Sequence, residues 1–247
     1  MRKFLLLCTF VVLTLASQAQ NRDIRFGFQA SPTFSTLSTN DNKINRNGTN
    51  LGMKLGMIGE YYFRPNYSFF AGIGFHFNAG GELQYDAAVD SVAIWREVDL
   101  LLDEGFSFAG ETSFDYSLQY IEIPFGMHFY TREYGQMRFM FEPSLSLGIR
   151  TQSRGNVVND RRFMIDQEED FDIRSAVNPF NLAWGILAAV EYNVGSNTNL
   201  VGGIGFQSGI SDVTKDKNTE IMANGRTLEE DSKGTINNIV IRLGIMF

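Results

Sequence analysis

Cysteine is almost missing from this 247-residue chain, and proline and histidine are scarce: one Cys, five Pro and two His. The lone Cys8 sits in the opening stretch "MRKFLLLCTFVVLTLASQAQ". That stretch has a short basic start at Arg2 and Lys3, an apolar run from Phe4 to Ala16 and a small-residue site at Ser17-Gln18-Ala19, the layout of a cleaved secretory signal. The run is shorter than the roughly 20 residues a membrane-spanning helix needs. A lipoprotein anchor on Cys8 is disfavoured because Leu7 before it is not small and the cut would fall too early. The expected division is therefore 1–19, a cleaved signal peptide, and 20–247, one domain. Past residue 19 there is no cysteine, which excludes both a disulfide scaffold and a thiol enzyme.

Basic charge is also in short supply. The chain has 21 Lys and Arg against 28 Asp and Glu. Loss of Arg2 and Lys3 with the signal leaves 19 against 28, a net charge near -9. An acidic exported chain is a poor partner for nucleic acid, whose phosphates call for basic patches. By contrast, 24 Gly and 22 Phe suit a fold of many strands.

Those strands can be read directly from the alternation of residue types. "NNIVIRLGIMF" puts Ile239, Ile241, Leu243, Ile245 and Phe247 on one face and Asn238, Val240, Arg242, Gly244 and Met246 on the other. Seven more segments repeat this period of two, beginning near Ile24, Leu51, Tyr67, Ile121, Phe139, Leu182 and Leu200. The even total of eight is joined alternately by tight links, "RPN", "TREYGQ" and "GSNT", and by long polar ones, Ser35 to Asn50, Asn78 to about Ser113, Thr151 to Phe180 and Asp212 to Gly234. Short turns at one end and long loops at the other predict an all-β fold, an eight-stranded antiparallel up-and-down transmembrane β-barrel. The bulky face is expected to meet lipid, and the face of Gly, small polar and charged residues to fill a narrow interior. A lipocalin-like soluble barrel with an apolar cavity is the alternative. Aromatics beside the short turns, Tyr61, Tyr62, Phe63, Tyr67, Phe69, Phe129, Tyr130, Tyr134, Phe139, Tyr192 and Phe247, are expected to form an interfacial girdle.

One segment, "LQYIEIPFGMHF" from Leu118 to Phe129, carries a family resemblance through Tyr120-Ile121-Glu122-Ile123-Pro124. It resembles the signature of a Bacteroidetes outer-membrane β-barrel family that includes PorT-like proteins, and the likeness extends as a pattern over the mature chain. The resemblance implies an outer-membrane barrel, with Phe247 as the terminal aromatic read by the barrel assembly machinery, and PorT itself is tied to protein secretion. Read physically, the same segment changes phase: Phe114, Tyr116, Leu118 and Tyr120 are even-numbered, whereas the apolar set from Ile121 is odd. A bulge near Tyr120 is expected to absorb the shift. Pro124, which lacks an amide donor, should sit where the ladder is broken.

The expected interior holds Arg25, Lys54, Arg138, Arg150 and Arg242 beside Glu60, Glu122, Glu142 and Glu191, nearly balanced and suited to an ion-pair network. A proton or ion path is the sharper alternative, opposed by how little room eight strands enclose. His76 and His128 share this face without a nucleophile motif, so they read as structural residues and the protein as a non-enzyme without cofactor. "DQEEDFD" (Asp166 to Asp172) and "LEED" (Leu228 to Asp231) lack the spacing and glycine of a calcium loop, so no metal site is expected. "DSVAIWREVDLLLDEG" carries Trp95 and Leu100 to Leu102 among acids, and reads as a hairpin or short helix over the barrel mouth whose apolar patch, if exposed, would mark a partner site. The resulting expectation is an outer-membrane protein with a structural or interaction role. A PorT-like secretion accessory, a barrel enzyme and a small-solute porin are the alternatives. Expected partners are outer-membrane lipid, the assembly machinery and a secretion or envelope protein.

Overall fold

The computed structural model describes residues 23–87, 89–95, 98, 107–158, 170–195, 198–215, 219–229 and 232–247. The signal segment lies outside them. Eight long strands form the barrel: β1 (Ile24–Ser38), β2 (Asn50–Arg64), β3 (Tyr67–Tyr85), β4 (Ser113–Tyr130), β5 (Met137–Val158), β6 (Phe180–Gly195), β7 (Thr198–Gly209) and β8 (Thr235–Met246). Each pairs antiparallel with its neighbour in sequence, and β8 closes the ring on β1 through Phe28↔Ile245, Thr33↔Val240 and Ser38↔Thr235. Beyond β8, Phe247 exchanges both backbone hydrogen bonds with Phe26, at 2.7 and 3.3 Å. Closure leaves no ladder edge to face lipid, where an unpaired amide would cost several kcal/mol. No helix among the described residues is long and apolar enough to cross a membrane, so any crossing is made by these strands.

The alternation resolves as a lipid-facing surface outside. Met57, Phe69, Ile73, Phe139, Trp184, Ile204, Ile241 and Leu243 are exposed on the outer wall, while Glu60, Ser68, His128, Glu142 and Glu191 are buried within. This arrangement is the reverse of a soluble barrel and removes the lipocalin-like alternative. Two aromatics depart from the expected girdle. Tyr62 and Tyr130 fall on the inward phase of β2 and β4 and stack with centroids 5.7 Å apart inside the short-turn mouth, leaving Tyr61, Phe63, Tyr67, Phe69, Phe129, Tyr134, Phe139, Tyr192 and Phe247 on the outer side.

The strands on the long-loop side run further than the alternation suggested. β1 reaches Ser38, β3 Tyr85 and β5 Val158: the outer halves of β1 and β3 bury Leu37, Ala79, Leu83 and Tyr85 inside the barrel, that of β5 buries Ser153 and Gly155, and all three lose the lipid-facing pattern. The phase change near Tyr120 is also relocated. In β4 every even residue from Phe114 to Tyr120 is buried, as are Glu122, His128 and Tyr130, so this strand keeps its phase. The irregularities lie in its two partners. In β3 the register slips between His76 and Ala79, at Asn78, whose φ of 54° is held by its amide donating to the Leu51 carbonyl and its Oδ1 accepting from Ser117. In β5, Gln152 and Arg150 pair with the consecutive residues Gln119 and Tyr120, leaving Thr151 as the extra residue of a bulge. Just past Asn78, Gly80 sits at φ 131°, and a Cβ there would lie 2.0 Å from the Tyr116 carbonyl oxygen. Pro124 is skipped in the β3–β4 ladder, which passes from Ala71↔Phe125 to Gly74↔Glu122, so its missing donor costs no hydrogen bond.

Above the barrel the long loops build a second sheet. Ser91–Ala93 pairs with Phe108–Ala109 and with Glu220–Ala223, which in turn pairs with Arg226–Glu229. Trp95 does not form part of an exposed patch: it is buried, donates to the Tyr116 hydroxyl at 3.2 Å and meets Phe114 and Tyr116 edge to face. Leu100 to Leu102, Asp166 to Glu169, Glu230 and Asp231 lie outside the described residues.

Candidate functional site

Inward positions of all eight strands converge on the lumen, which is layered by chemistry. Nearest the short turns, Glu191 on β6 lies 2.9 Å from Arg25 on β1 and 3.0 Å from Arg138 on β5. Both arginines donate to the Tyr62 hydroxyl, at 3.0 and 2.6 Å, and Arg138 rests 3.8 Å from the centroid of the Tyr130 ring. A mouth of about 420 Å³ opens below this layer, bordered by Arg25, Arg138, Glu191 and Asn193.

The next layer centres on His128. Its Nδ1 lies 2.9 Å from Glu60 and its Nε2 3.0 Å from Glu142, so both ring nitrogens face carboxylate oxygens, an arrangement that two ring protons satisfy. Glu60 also accepts from Ser68 and from the Tyr130 hydroxyl, and Glu142 takes a two-pronged pair from Arg242 at 2.9 and 3.1 Å. Phe70 stacks on the His128 ring at 4.4 Å, and it can do so because Gly126 leaves the space free: a Cβ there would fall 2.9 Å from the Phe70 ring. A third layer pairs Lys54 on β2 with Glu122 on β4 at 2.7 Å, with the Gln207 side-chain Oε1 also accepting from Lys54 and His76 lying 3.3 Å from Glu122 and 3.2 Å from Thr33.

Eight of the nine charged residues marked from the alternation thus sit in these layers. Arg150 does not. It pairs with Tyr120 across the β4–β5 ladder, above the Lys54–Glu122 layer, and donates to the backbone carbonyls of Arg174 and Val177, tying down a loop. The reason is the register: beyond Glu122 the inward positions at its level are the apolar residues of the upper lumen, Tyr120 and Leu118 among them. Ser68, Phe70, Gln207 and Thr33 were not singled out, and Tyr62 and Tyr130 were assigned to the girdle; Thr33, Tyr62 and Tyr130 share the phase of a marked charge on their own strands, whereas the strands of Ser68, Phe70 and Gln207 carry no marked charge to set the phase. Among the described residues no group of three or more His, Cys, Asp or Glu side chains is placed to hold a metal ion. Phe247 lies exposed at the rim.

Over the charged layers lies an apolar plug. Leu37, Trp95, Phe114, Tyr116, Leu118, Tyr120, Ile173, Val177, Ile221 and Ile236 form one cluster, drawn from the upper strands, the second sheet and the loops.

A family model described as "Outer membrane protein beta-barrel domain" matches residues 17–215, and the chain belongs to that family. The match stops short of β8, and the closed ring supplies that last strand. Among solved structures, the chain is similar to Neisserial surface protein A, with 13% identity, TM-score 0.42 and coverage of 90% of this chain and 95% of that one. It is also similar to a major outer membrane protein from Thermus thermophilus, with 14% identity, TM-score 0.41 and coverage of 91% and 98%. Ail of Yersinia pestis, solved with the heparin analogue sucrose octasulfate, matches at 8% identity, TM-score 0.39 and coverage of 91% and 99%. No curated protein matches the chain. The protein is an outer-membrane β-barrel.

Proposed function

We propose that this chain is exported by a cleaved signal, inserted by the barrel assembly machinery with Phe247 as its recognised terminus, and serves in a Gram-negative outer membrane as a closed, non-enzymatic barrel with a structural or interaction role. The observation that carries this reading is the build of the lumen: paired charges below, an apolar plug above, and a loop-made sheet over the long-loop mouth. Such a lumen supports neither steady ion flow nor substrate entry. His76 and His128 are buried, 1% and 3% exposed, between partners that hold them in place, which supports a structural role for both. Among the described residues the second sheet offers a surface to partners, its outer strand Arg226–Glu229 being exposed throughout.

A second reading, a PorT-like accessory of protein secretion in a Bacteroidetes envelope, is favoured by the Tyr120-Ile121-Glu122-Ile123-Pro124 segment. Its residues span the boundary between plug and charged lumen, with Tyr120 and Glu122 both inward. Crosslinking in intact cells, followed by mild-detergent purification of the tagged chain, tests both readings. Recovery of a stoichiometric secretion component supports the second, and recovery of a lone barrel or another envelope protein supports the first. Steady conductance in a planar bilayer, or recovery from the soluble periplasm, overturns both.

A further inference from the structure

The sheet built by the long loops has two ends, and they are finished differently. Its strand order runs Arg226–Glu229, Glu220–Ala223, Ser91–Ala93, Phe108–Ala109. The Phe108–Ala109 end is two residues long, and Phe108 is 1% exposed and packed into the plug. At the other end all four residues of Arg226–Glu229 are exposed, and among the described residues no strand pairs with their outer side. The hairpin that presents this edge turns through Asn224 and Gly225, at φ 53° and 67°, the two left-handed positions of a type I′ turn. Such a turn closes on a hydrogen-bonded pair, here Ala223↔Arg226, and the bonding alternates from there. Arg226 and Leu228 therefore spend their backbone groups on Glu220–Ala223, while those of Thr227 and Glu229 point to the open side. Proteins commonly blunt an edge with proline, a bulge or a cover. This strand has no proline, its register with Glu220–Ala223 is unbroken, and Leu228 keeps 42% exposure.

Charge decides what can be added there. The two connections that form the sheet, residues 86–111 and 219–231, hold 11 Asp and Glu against two basic residues, Arg96 and Arg226. A second copy would bring the same acidic excess to the same place, so edge-to-edge pairing of two chains is opposed. An extended segment rich in Lys and Arg is attracted instead, with a screening length of about 8 Å at physiological salt.

We propose that the Arg226–Glu229 edge is a docking site for an extended basic segment of a partner protein, which adds a fifth strand to the four-stranded loop sheet. The inference rests on the reading of that sheet as a partner surface. Thr227 and Glu229 supply the main-chain hydrogen bonds, and lysine or arginine side chains of the incoming strand meet the acidic connections.

The test uses the full mature chain in zwitterionic lipid nanodiscs, with folding verified by the shift between unboiled and boiled gel mobility. The probe is a short dye-labelled peptide alternating lysine and threonine. It has two companions: one with glutamate for lysine, and one with its backbone amides N-methylated, which keeps the charge but loses the ladder donors. Fluorescence anisotropy should show binding of the first, binding weaker by roughly tenfold or more for the methylated peptide, and none of the acidic one. Thr227→Pro removes an outward N–H without touching the hairpin's own bonds and should weaken binding to the same extent. Equal binding of the plain and methylated peptides, or no binding of the plain one, overturns the proposal. So does sedimentation of the chain alone as a dimer that Thr227→Pro dissolves, because the edge then belongs to a second copy. Should Thr227→Pro not give the folded gel form, the methylated peptide carries the comparison by itself. An envelope partner crosslinked equally to the wild type and to Thr227→Pro upholds the interaction role while overturning this route to it.

Discussion

The two halves of this lumen solve one problem with opposite chemistry. Toward the short turns the interior is filled by Arg25, Glu60, His128, Arg138, Glu142, Glu191 and Arg242, each bound to a partner across the barrel, beside a small apolar cluster of Met140, Leu187, Ala189, Val201 and Met246. Toward the long loops it is filled by Leu37, Trp95, Phe114, Leu118, Tyr120 and Ile236, packed as in a soluble core. The difference follows from what each half has to work with. The lower half is enclosed by eight short-linked strands whose outer wall already takes the bulky residues, so long charged side chains must span the interior and neutralise one another. The upper half receives loops and a second sheet, which can wrap apolar groups on all sides as an aqueous domain does. Charge fills the lower half at a risk, because a lost partner strands a buried ion, while the upper half fails gradually, by loosening.

That contrast can be broken in order of size. Glu142→Leu strands Arg242 and His128 and should destabilise the barrel by about 3 to 5 kcal/mol in urea unfolding from lipid vesicles, whereas the double variant Glu142→Leu/Arg242→Leu should recover most of the loss. Ile241→Arg attacks the outer wall instead and should cost about 2 to 4 kcal/mol near the midplane. Ile241→Leu there should cost less than about 1.5 kcal/mol. Normal folding of Ile241→Arg beside failure of a polar swap at Asn238 would turn the sheet inside out.

Trp95→Ala removes a buried ring and the donor to Tyr116, yet its effect should stay local. Limited proteolysis should cut the segments around Ser91–Ala93 and Glu220–Ala223 faster, while the unfolding midpoint of the barrel moves little. Loss of the folded gel form in this variant would show the two halves to be one cooperative unit. The smallest expected change is with salt. Because the ion pairs are buried, raising salt from about 0.1 to 1 M shortens the screening length from roughly 10 to 3 Å but should scarcely shift the midpoint. A large drop would mean that the lower half depends on solvent-screened charge.

Much of the lower half could be read from alternation, because lipid outside and polar filling inside put a period of two on every strand. Eight of the nine marked charges meet as that period implied. Arg150 borders the bulge at Thr151, and Asn78 to Tyr85, taken as loop, begin at the bulge at Asn78; from these bulges upward both faces of the strands carry other duties, and the period no longer separates lipid from lumen. Tyr62 and Tyr130 looked like rim residues because composition near a turn does not reveal which way a ring points. Only pairing with Arg25, Arg138 and Glu60 explains them.

The sequence by itself determined the class of fold, the number of strands and which face meets lipid, since these follow from local alternation and link length. Which charges meet, where the bulges fall and that Trp95 turns into a plug were decided by the tertiary structure alone. Each depends on the register of strands far apart in the chain, and a one-residue slip reverses the face of every side chain beyond it.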